Sequence, residues 1–403
     1  MKKTLIIFVT QPLNKFNYYK WGLNKKYNRK WNIKFWNLLN LENKDLNKKF
    51  SSKGHGIIKV KNFLNIKNIS SLIKEFNKLP DKFFYINLSI LSTKCSLIDR
   101  LLSLKGGKRV YFKMNILPKP TIPIKLALTY MLQSPYKLLY LKKILNYPFN
   151  KLISYFNSNL LLAKPVIYIT PNEKAFQKIK SKNKIIKIKK THSYDYELFM
   201  NNDSTKIKKK NYAVFIDEDV ENHFDYTLTY SRLFNKGKYH LPTQWYWDKM
   251  EKFFSFIEST SKLKIIIAAH HRRSKNNFPI KRKFVFNKTL DLVKNSKLVL
   301  MHDSTALHQG ILCQKPIILL NFNAYKKRLE QYLRILYFSK LTGAKVINLE
   351  TFSFSKKNFN LDDYLKINIK QYKKYKDNYI KPPNSENIAI WKTVLGELDK
   401  LEN

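Results

Sequence analysis

Acidic side chains are scarce in this sequence: 28 Asp and Glu stand against 77 Lys and Arg, a formal charge of +49 over 403 residues. Such a balance suits nucleic acid, anionic lipid or a phosphorylated substrate. The lysines, however, run through the whole chain among Asn, Ile and Tyr, the pattern of a compositional bias acting on permissive surface positions. No arginine-rich helix, zinc knuckle or RNA-recognition signature accompanies them, so nucleic acid is not the favoured partner. A basic surface would still hold the protein near an anionic bilayer.

Cysteine is almost absent. Cys95 and Cys313 lie far apart in apolar surroundings, which excludes a disulfide framework and fits a reducing compartment. Nine glycines exclude a glycine-rich architecture. No apolar run approaches the length of about eighteen residues that spans a bilayer, so the expectation is a cytoplasmic protein, peripheral at most on the inner face of the membrane. The opening KKTLIIFVT has the charge of a signal peptide, but its apolar run stops at Gln11-Pro12 and reads as a first buried strand. That strand is not followed by G-x-G-x-x-G, so the dinucleotide fingerprint is missing where it belongs.

What is present is a globular composition, 44% apolar and rich in Phe and Tyr, long enough for two cores. Strand-like runs at 4–10, 32–39, 56–60, 83–88 and 108–112 alternate with helical spacing at 13–27, 69–79 and 97–104, the order of a doubly wound α/β domain. From 118 to 165 leucines interleave with lysines and tyrosines. This basic amphipathic stretch either lies on a membrane or packs on the sheet with its lysines solvated. Strands resume at 166–170 and 184–188, and the polar run 201–211 is the linker candidate. Runs at 212–216, 264–268, 297–301 and 316–320, with a helix at 243–260, then predict a second α/β domain. The expected division is 1–200, 212–360 and a helical, lysine-rich tail at 361–403.

The chain is organised around KTLDLVKNSKLVLMHDSTALHQGILCQKPIILLNF (288–322), an αβαβ unit. Asp303, Ser304 and Thr305 are residue types that cap a helix, here one starting near 305 or 306. Parallel sheets bind ligands beyond their strands' carboxyl ends, and a following helix N-terminus suits an anion. Either this loop seats a phosphate or it is a well-capped core helix. Two more polar clusters end predicted strands: Asp217, Glu218 and Asp219 with Glu221, His223 and Asp225, and His270-His271-Arg272-Arg273. Parallel strands would bring the three clusters to one cleft. His270, His271, Arg272 and Arg273 place cationic donors for a phosphate, His302, Ser304 and Thr305 complete the cradle, and Asp217 or Glu218 is a candidate general base. The duller readings are satisfied histidines, solvated arginines and an acidic turn. A metal site from His270, His302 and His308 lacks ligand spacing. Asp217-Glu218-Asp219 also fits a metal-binding D-x-D pattern, but a complete α/β domain ahead of it argues against the fold that uses one.

The succession VFIDEDVENHFD, IIIAAHHRRS and KTLDLVKNSKLVLMHDSTALHQGILCQKPIILL resembles bacterial surface-carbohydrate (capsule or lipopolysaccharide) biosynthesis glycosyltransferases of the GT-B type. A more distant likeness is to bacterial sialyl- and polysialyltransferases. The resemblance implies two Rossmann-like domains facing across a cleft, an N-terminal acceptor-side domain and a C-terminal nucleotide-sugar donor domain. It implies donor contacts at His270, Arg272, Arg273, His302, Ser304 and Thr305, and an acidic base at Asp217 or Glu218. His55, Asp195 and His192 are the fallback bases, since many GT-B enzymes take theirs from the N-terminal domain. His271 stands where that pattern has proline. The expected function is transfer of a sugar from a nucleotide-activated donor, a CMP-linked acidic sugar among the options, to a surface polysaccharide or glycolipid, with neither metal nor cofactor. The competing readings are an epimerase or hydrolase of nucleotide sugars on the same fold, and a non-catalytic basic protein that binds nucleic acid or membrane.

Overall fold

The structure is a computed structural model that describes all residues except 1, 12, 22–29, 46, 48–57, 90–91, 115–116, 121–128, 130–146, 183–186, 203–210, 222–240, 272, 274–278 and 402–403. The chain divides into two compact units. The first comprises Met1–Asn115, Lys143–Tyr194 and Lys381–Asn403; the second comprises Ile116–Lys142 and Asp195–Ile380.

The first unit is built on β1 (Lys3–Val9), β2 (Trp31–Asn37), β3 (Phe63–Asn65), β4 (Phe83–Asn87), β5 (Gly107–Phe112), β6 (Ile167–Thr170) and β7 (Lys187–Lys190). They pair in parallel in the order β3-β2-β1-β4-β5-β6-β7. From Thr4 to Val9 every residue of β1 is buried, because a doubly wound sheet is covered on both faces and so selects continuous apolar runs. The run expected at 56–60 forms no strand within its described residues, 58–60; the third strand is β3, where Phe63 stacks with Trp21 and Phe35.

The second unit carries β8 (Tyr212–Ile216), β9 (Lys264–Ala269), β10 (Phe284–Phe286), β11 (Leu298–Met301), β12 (Ile317–Asn321) and β13 (Lys345–Asn348). The order is β10-β9-β8-β11-β12-β13, again parallel. Helix Thr243–Ser261 buries Tyr246, Trp247, Met250, Phe253, Phe254 and Ile257 on one face, the period of 3.6 residues that its sequence predicts. Each such side chain stabilises the unit by about 1.5–3 kcal/mol before entropy is counted. Helix Leu329–Thr342 ends at Gly343, whose φ of 75° closes the last turn in a conformation that favours glycine.

Both units are thus doubly wound, and each sheet reverses its strand order beside its first strand, at β1/β4 and at β8/β11. The expected linker lies mostly outside the described residues, and the unit boundary falls at Tyr194/Asp195. The expected tail is shared: helix Ile369–Tyr379 belongs to the second unit, whereas helix Ile390–Asp399 inserts Trp391, Val394 and Leu398 into the core of the first. Most of 118–165 lies outside the described residues; its later part is helix Tyr147–Tyr155 and a π-helical turn, Phe156–Leu161. Among the described residues no helix is long and apolar enough to cross a membrane.

One buried acid fastens the first unit. Asp99, on helix Thr93–Leu104, accepts hydrogen bonds from the Tyr85 hydroxyl (3.0 Å), Asn87 (3.2 Å) and the Ala163 backbone N–H (3.1 Å), and pairs with Arg109 Nε at 3.1 Å. Burial, then the Asp99 carboxylate, push the Tyr85 phenol far above its ordinary range, so it keeps the proton that it donates to Asp99. Replacing Asp99 with Ala strands Arg109 in the interior and should cost about 3–5 kcal/mol, read as a fall in the unfolding temperature of the whole chain.

Candidate functional site

Loops 217–221, 270–273 and 302–306 follow β8, β9 and β11, three adjacent strands, and so meet at one carboxyl edge. The first and third flank the switch point, where open α/β sheets bind ligands. Their meeting is chemical as well as topological. The Asp217 carboxylate receives the backbone N–H of Asp219 (2.9 Å) and of His270 (3.1 Å), and Arg273 Nε and Nη2 at 2.5 and 2.8 Å. The Asp219 bond closes a local turn, in which Asp219 sits at a φ of 50° that a short polar side chain tolerates. Arg273 Nη1 also donates to Glu221 (2.8 Å), which accepts from Trp247 Nε1 (2.8 Å), and its Nη2 lies 3.4 Å from Asp219.

The geometry engages two of the expected site residues with each other. A carboxylate offers about four lone-pair positions, and those of Asp217 are all taken, so it holds the turns together and is not placed to remove a proton from a substrate. Arg273 is buried and spends its donors on Asp217 and Glu221, so it neutralises the acidic turn instead of gripping a phosphate. Burial alone would lower its pKa, but the surrounding carboxylates, Asp217 first, raise it. Arg272, His223 and Asp225 lie outside the described residues.

Glu218 is buried beneath the 302–306 loop, where it accepts the His302 backbone N–H at 3.2 Å. Burial, with Asp303 and Asp217 nearby, raises its pKa well above the carboxylate range. Burial and its acidic neighbours thus favour its protonated form over the carboxylate. His302 is wholly buried. Its Nδ1–H donates to the Leu320 carbonyl (2.7 Å) and its Nε2 accepts from the Tyr246 hydroxyl (2.9 Å). Burial lowers its pKa to about 4. His302 therefore pins β11 to β12 and to helix Thr243–Ser261, the duller alternative, and does not reach a donor.

Ser304 and Thr305 are half-buried at the edge itself. The helix that follows is shorter than expected, Leu307–Leu312; Ser304 Oγ accepts the Ala306 N–H at 3.2 Å in the turn before it. His270 and His271 are also half-buried, their rings 4.4 Å apart and tilted by 45°. Of the fallback bases, His55 lies outside the described residues. His192 is buried, with Nε2 at 3.0 Å from the Ile388 carbonyl. Asp195 accepts from His308 Nδ1 (3.2 Å) and Gln309 (3.0 Å).

Several participants escaped the sequence reading. Asp303 pairs with Arg334 Nε at 3.3 Å, Arg334 with Glu330 at 3.3 Å, and Glu330 with Lys119 at 3.1 Å. Tyr246 and Trp247 brace His302 and Glu221 from the long helix. The signal for Arg334 was its place one helical turn after Glu330, in a helix entering directly beyond β12.

No protein-family profile matches the chain, and no curated protein matches it. Among solved structures, the wall teichoic acid polymerase TagF is similar with a TM-score of 0.52 and 12% identity, over 99% of this chain and 89% of that one. A UDP-GlcNAc 2-epimerase from Methanocaldococcus jannaschii in complex with UDP-GlcNAc and UDP gives 0.45 at 15% identity, over 99% and 100% of the two chains. The glycotransferase of kitacinnamycin gives 0.45 at 9% identity, over 94% and 95%. These likenesses are of fold, and the fold is of the GT-B type: two doubly wound parallel α/β domains.

Two outcomes test the site's electrostatics. Arg273→Met leaves Asp217 and Glu221 buried without a counter-charge and should destabilise the ligand-free chain by about 3–5 kcal/mol in thermal or denaturant unfolding. Asp303 is raised by burial from 3.8 to about 7 despite Arg334. The folded chain thus holds that proton more tightly than the unfolded chain. The group's stabilisation is complete below its unfolded pKa and is lost as pH climbs to about 7, at about 1.4 kcal/mol per unit. In melting curves, Asp303→Asn should gain on the wild type steadily as pH rises through that window.

Proposed function

We propose that this chain is a glycosyltransferase that moves a sugar from a nucleotide-activated donor to a surface polysaccharide or glycolipid, with the donor phosphate seated on Ser304 and Thr305. One observation carries the reading: the two hydroxyl residues stand half-exposed at the switch point, on the loop that meets the other two polar turns. Asp217 and Glu221 beside them are paired with Arg273.

The sheet order of the second unit supports placing the nucleotide there, as does the GT-B fold. Hydroxyl and backbone donors at the 303–306 turn, with His270 beside Asp217, would stabilise charge developing on the leaving phosphate. Proton removal from the acceptor falls to another group. With Asp217, Glu218, His192 and Asp195 committed elsewhere, His55 is the remaining sequence candidate. The acceptor class and the choice among nucleotides, CMP included, belong to this proposal.

Thermal melts with UDP, GDP, dTDP, CDP and CMP test it. The cognate nucleotide should add about 2.7 kcal/mol of stability at a hundredfold excess over its Kd. Ser304→Ala with Thr305→Val should weaken that nucleotide by about tenfold or more, the worth of one or two charge-assisted hydrogen bonds. If none of the five shifts the melt, the donor-site reading fails. Turnover of the matching nucleotide sugar with no acceptor present would instead favour the epimerase or hydrolase.

A further inference from the structure

The Asp99 knot sets two outward faces of the first unit beside each other. Helix Thr93–Leu104 turns Cys95, Ile98, Asp99 and Leu102 inward, and its outer stripe carries Leu97, Leu101 and Leu104, exposed by 47, 49 and 69%. The spacing of four and three residues aligns them on one side. Ala163, just beyond the π-helical turn Phe156–Leu161, is tied to Asp99 and Arg109, and the turn itself packs on this helix. There Phe156 and Leu160 are 45 and 56% exposed, and they continue the exposed Phe149 and Leu152 of helix Tyr147–Tyr155. Scattered surface leucines need no explanation, but adjoining apolar faces of this extent mark an interaction surface.

Charge identifies the occupant. From position 100 to 172 the sequence contains no Asp or Glu and twelve Lys or Arg. The last acid before that interval, Asp99, is wholly buried. Lys94, Arg100 and Lys164 are exposed around the leucine and phenylalanine face. Nucleic acid would meet the cations but offers nothing to the apolar side chains. An anionic bilayer takes both, the apolar groups below the headgroups and the cations at the phosphates.

We propose that this face of the first unit docks on an anionic lipid bilayer. It brings the chain to a lipid-borne acceptor if the transferase reading holds, but it rests on none of the donor-site residues.

The test is co-sedimentation of the full chain with phosphatidylcholine vesicles, with and without phosphatidylglycerol. Binding should require phosphatidylglycerol. Leu97→Asp with Leu101→Asp should weaken it by about tenfold or more, the cost of failing to bury one or two leucines, at an unchanged melting temperature. If that variant melts early, Arg100→Glu with Lys164→Glu takes its place, with the same loss expected. The proposal is overturned if either stable variant binds as the wild type does, or if neutral vesicles bind equally. It is also overturned if the wild type sediments as a dimer that the leucine substitutions dissolve, since a second copy would then cover the face. Nucleotide-induced stabilisation should be the same in all these variants, so a failed donor site and a failed lipid surface give separate results.

Discussion

The carboxyl edge of the second unit depends on one guanidinium. Three carboxylates on the β8 turn, Asp217, Asp219 and Glu221, would repel one another in a low-dielectric setting, and desolvation would make each costly. Arg273 reaches all three from the β9 turn and lies 5.1 Å from the centre of the Trp247 ring. A lysine has the charge but not the rigid fork of donors needed to serve two carboxylates in different directions. The neighbouring Glu218 lies where burial and nearby acids raise its pKa. Together these arrangements leave an edge of polar turns in which three carboxylates share one guanidinium.

The architecture was legible in the sequence wherever a strand is buried on both faces. YAVFI, KIIIAA, LVLM and IILL are continuous apolar runs, and each forms a strand within a residue or so of its expected place. The short FVF and KVIN strands at the sheet's edges were not legible, because three or four residues with partial burial carry no periodic signal. The meeting of the three polar clusters could be read as well: turns after adjacent parallel strands share an edge. The contacts of their residues could not. A sequence shows that Asp217, Arg273 and His302 fall near strand ends, but not that their hydrogen bonds are satisfied within the protein. The motif His-Asp-Ser-Thr accordingly divides into a core histidine, an acid paired to Arg334 and two half-exposed hydroxyl residues.

The scarcity of acids has a structural counterpart. Asp99, Asp217, Glu218, Asp219 and Glu221 are all buried, several of them within the knots that hold loops and helices in place. Carboxylates are thus drawn into the interior, where each must be paired or protonated, and the cations that outnumber them are left largely to the surface. The basic character of the molecule is therefore sharper at its exterior than its composition suggests.

Helix Ile390–Asp399 has a consequence for biosynthesis. Its Trp391 lies 5.2 Å from Phe112, and Lys3 pairs with Asp399 at 2.9 Å, so residues that leave the ribosome first complete their packing only with residues made nearly four hundred positions later. Domains usually fold in the order of translation. Here part of the apolar face of the N-terminal sheet is covered only after the downstream unit has been made.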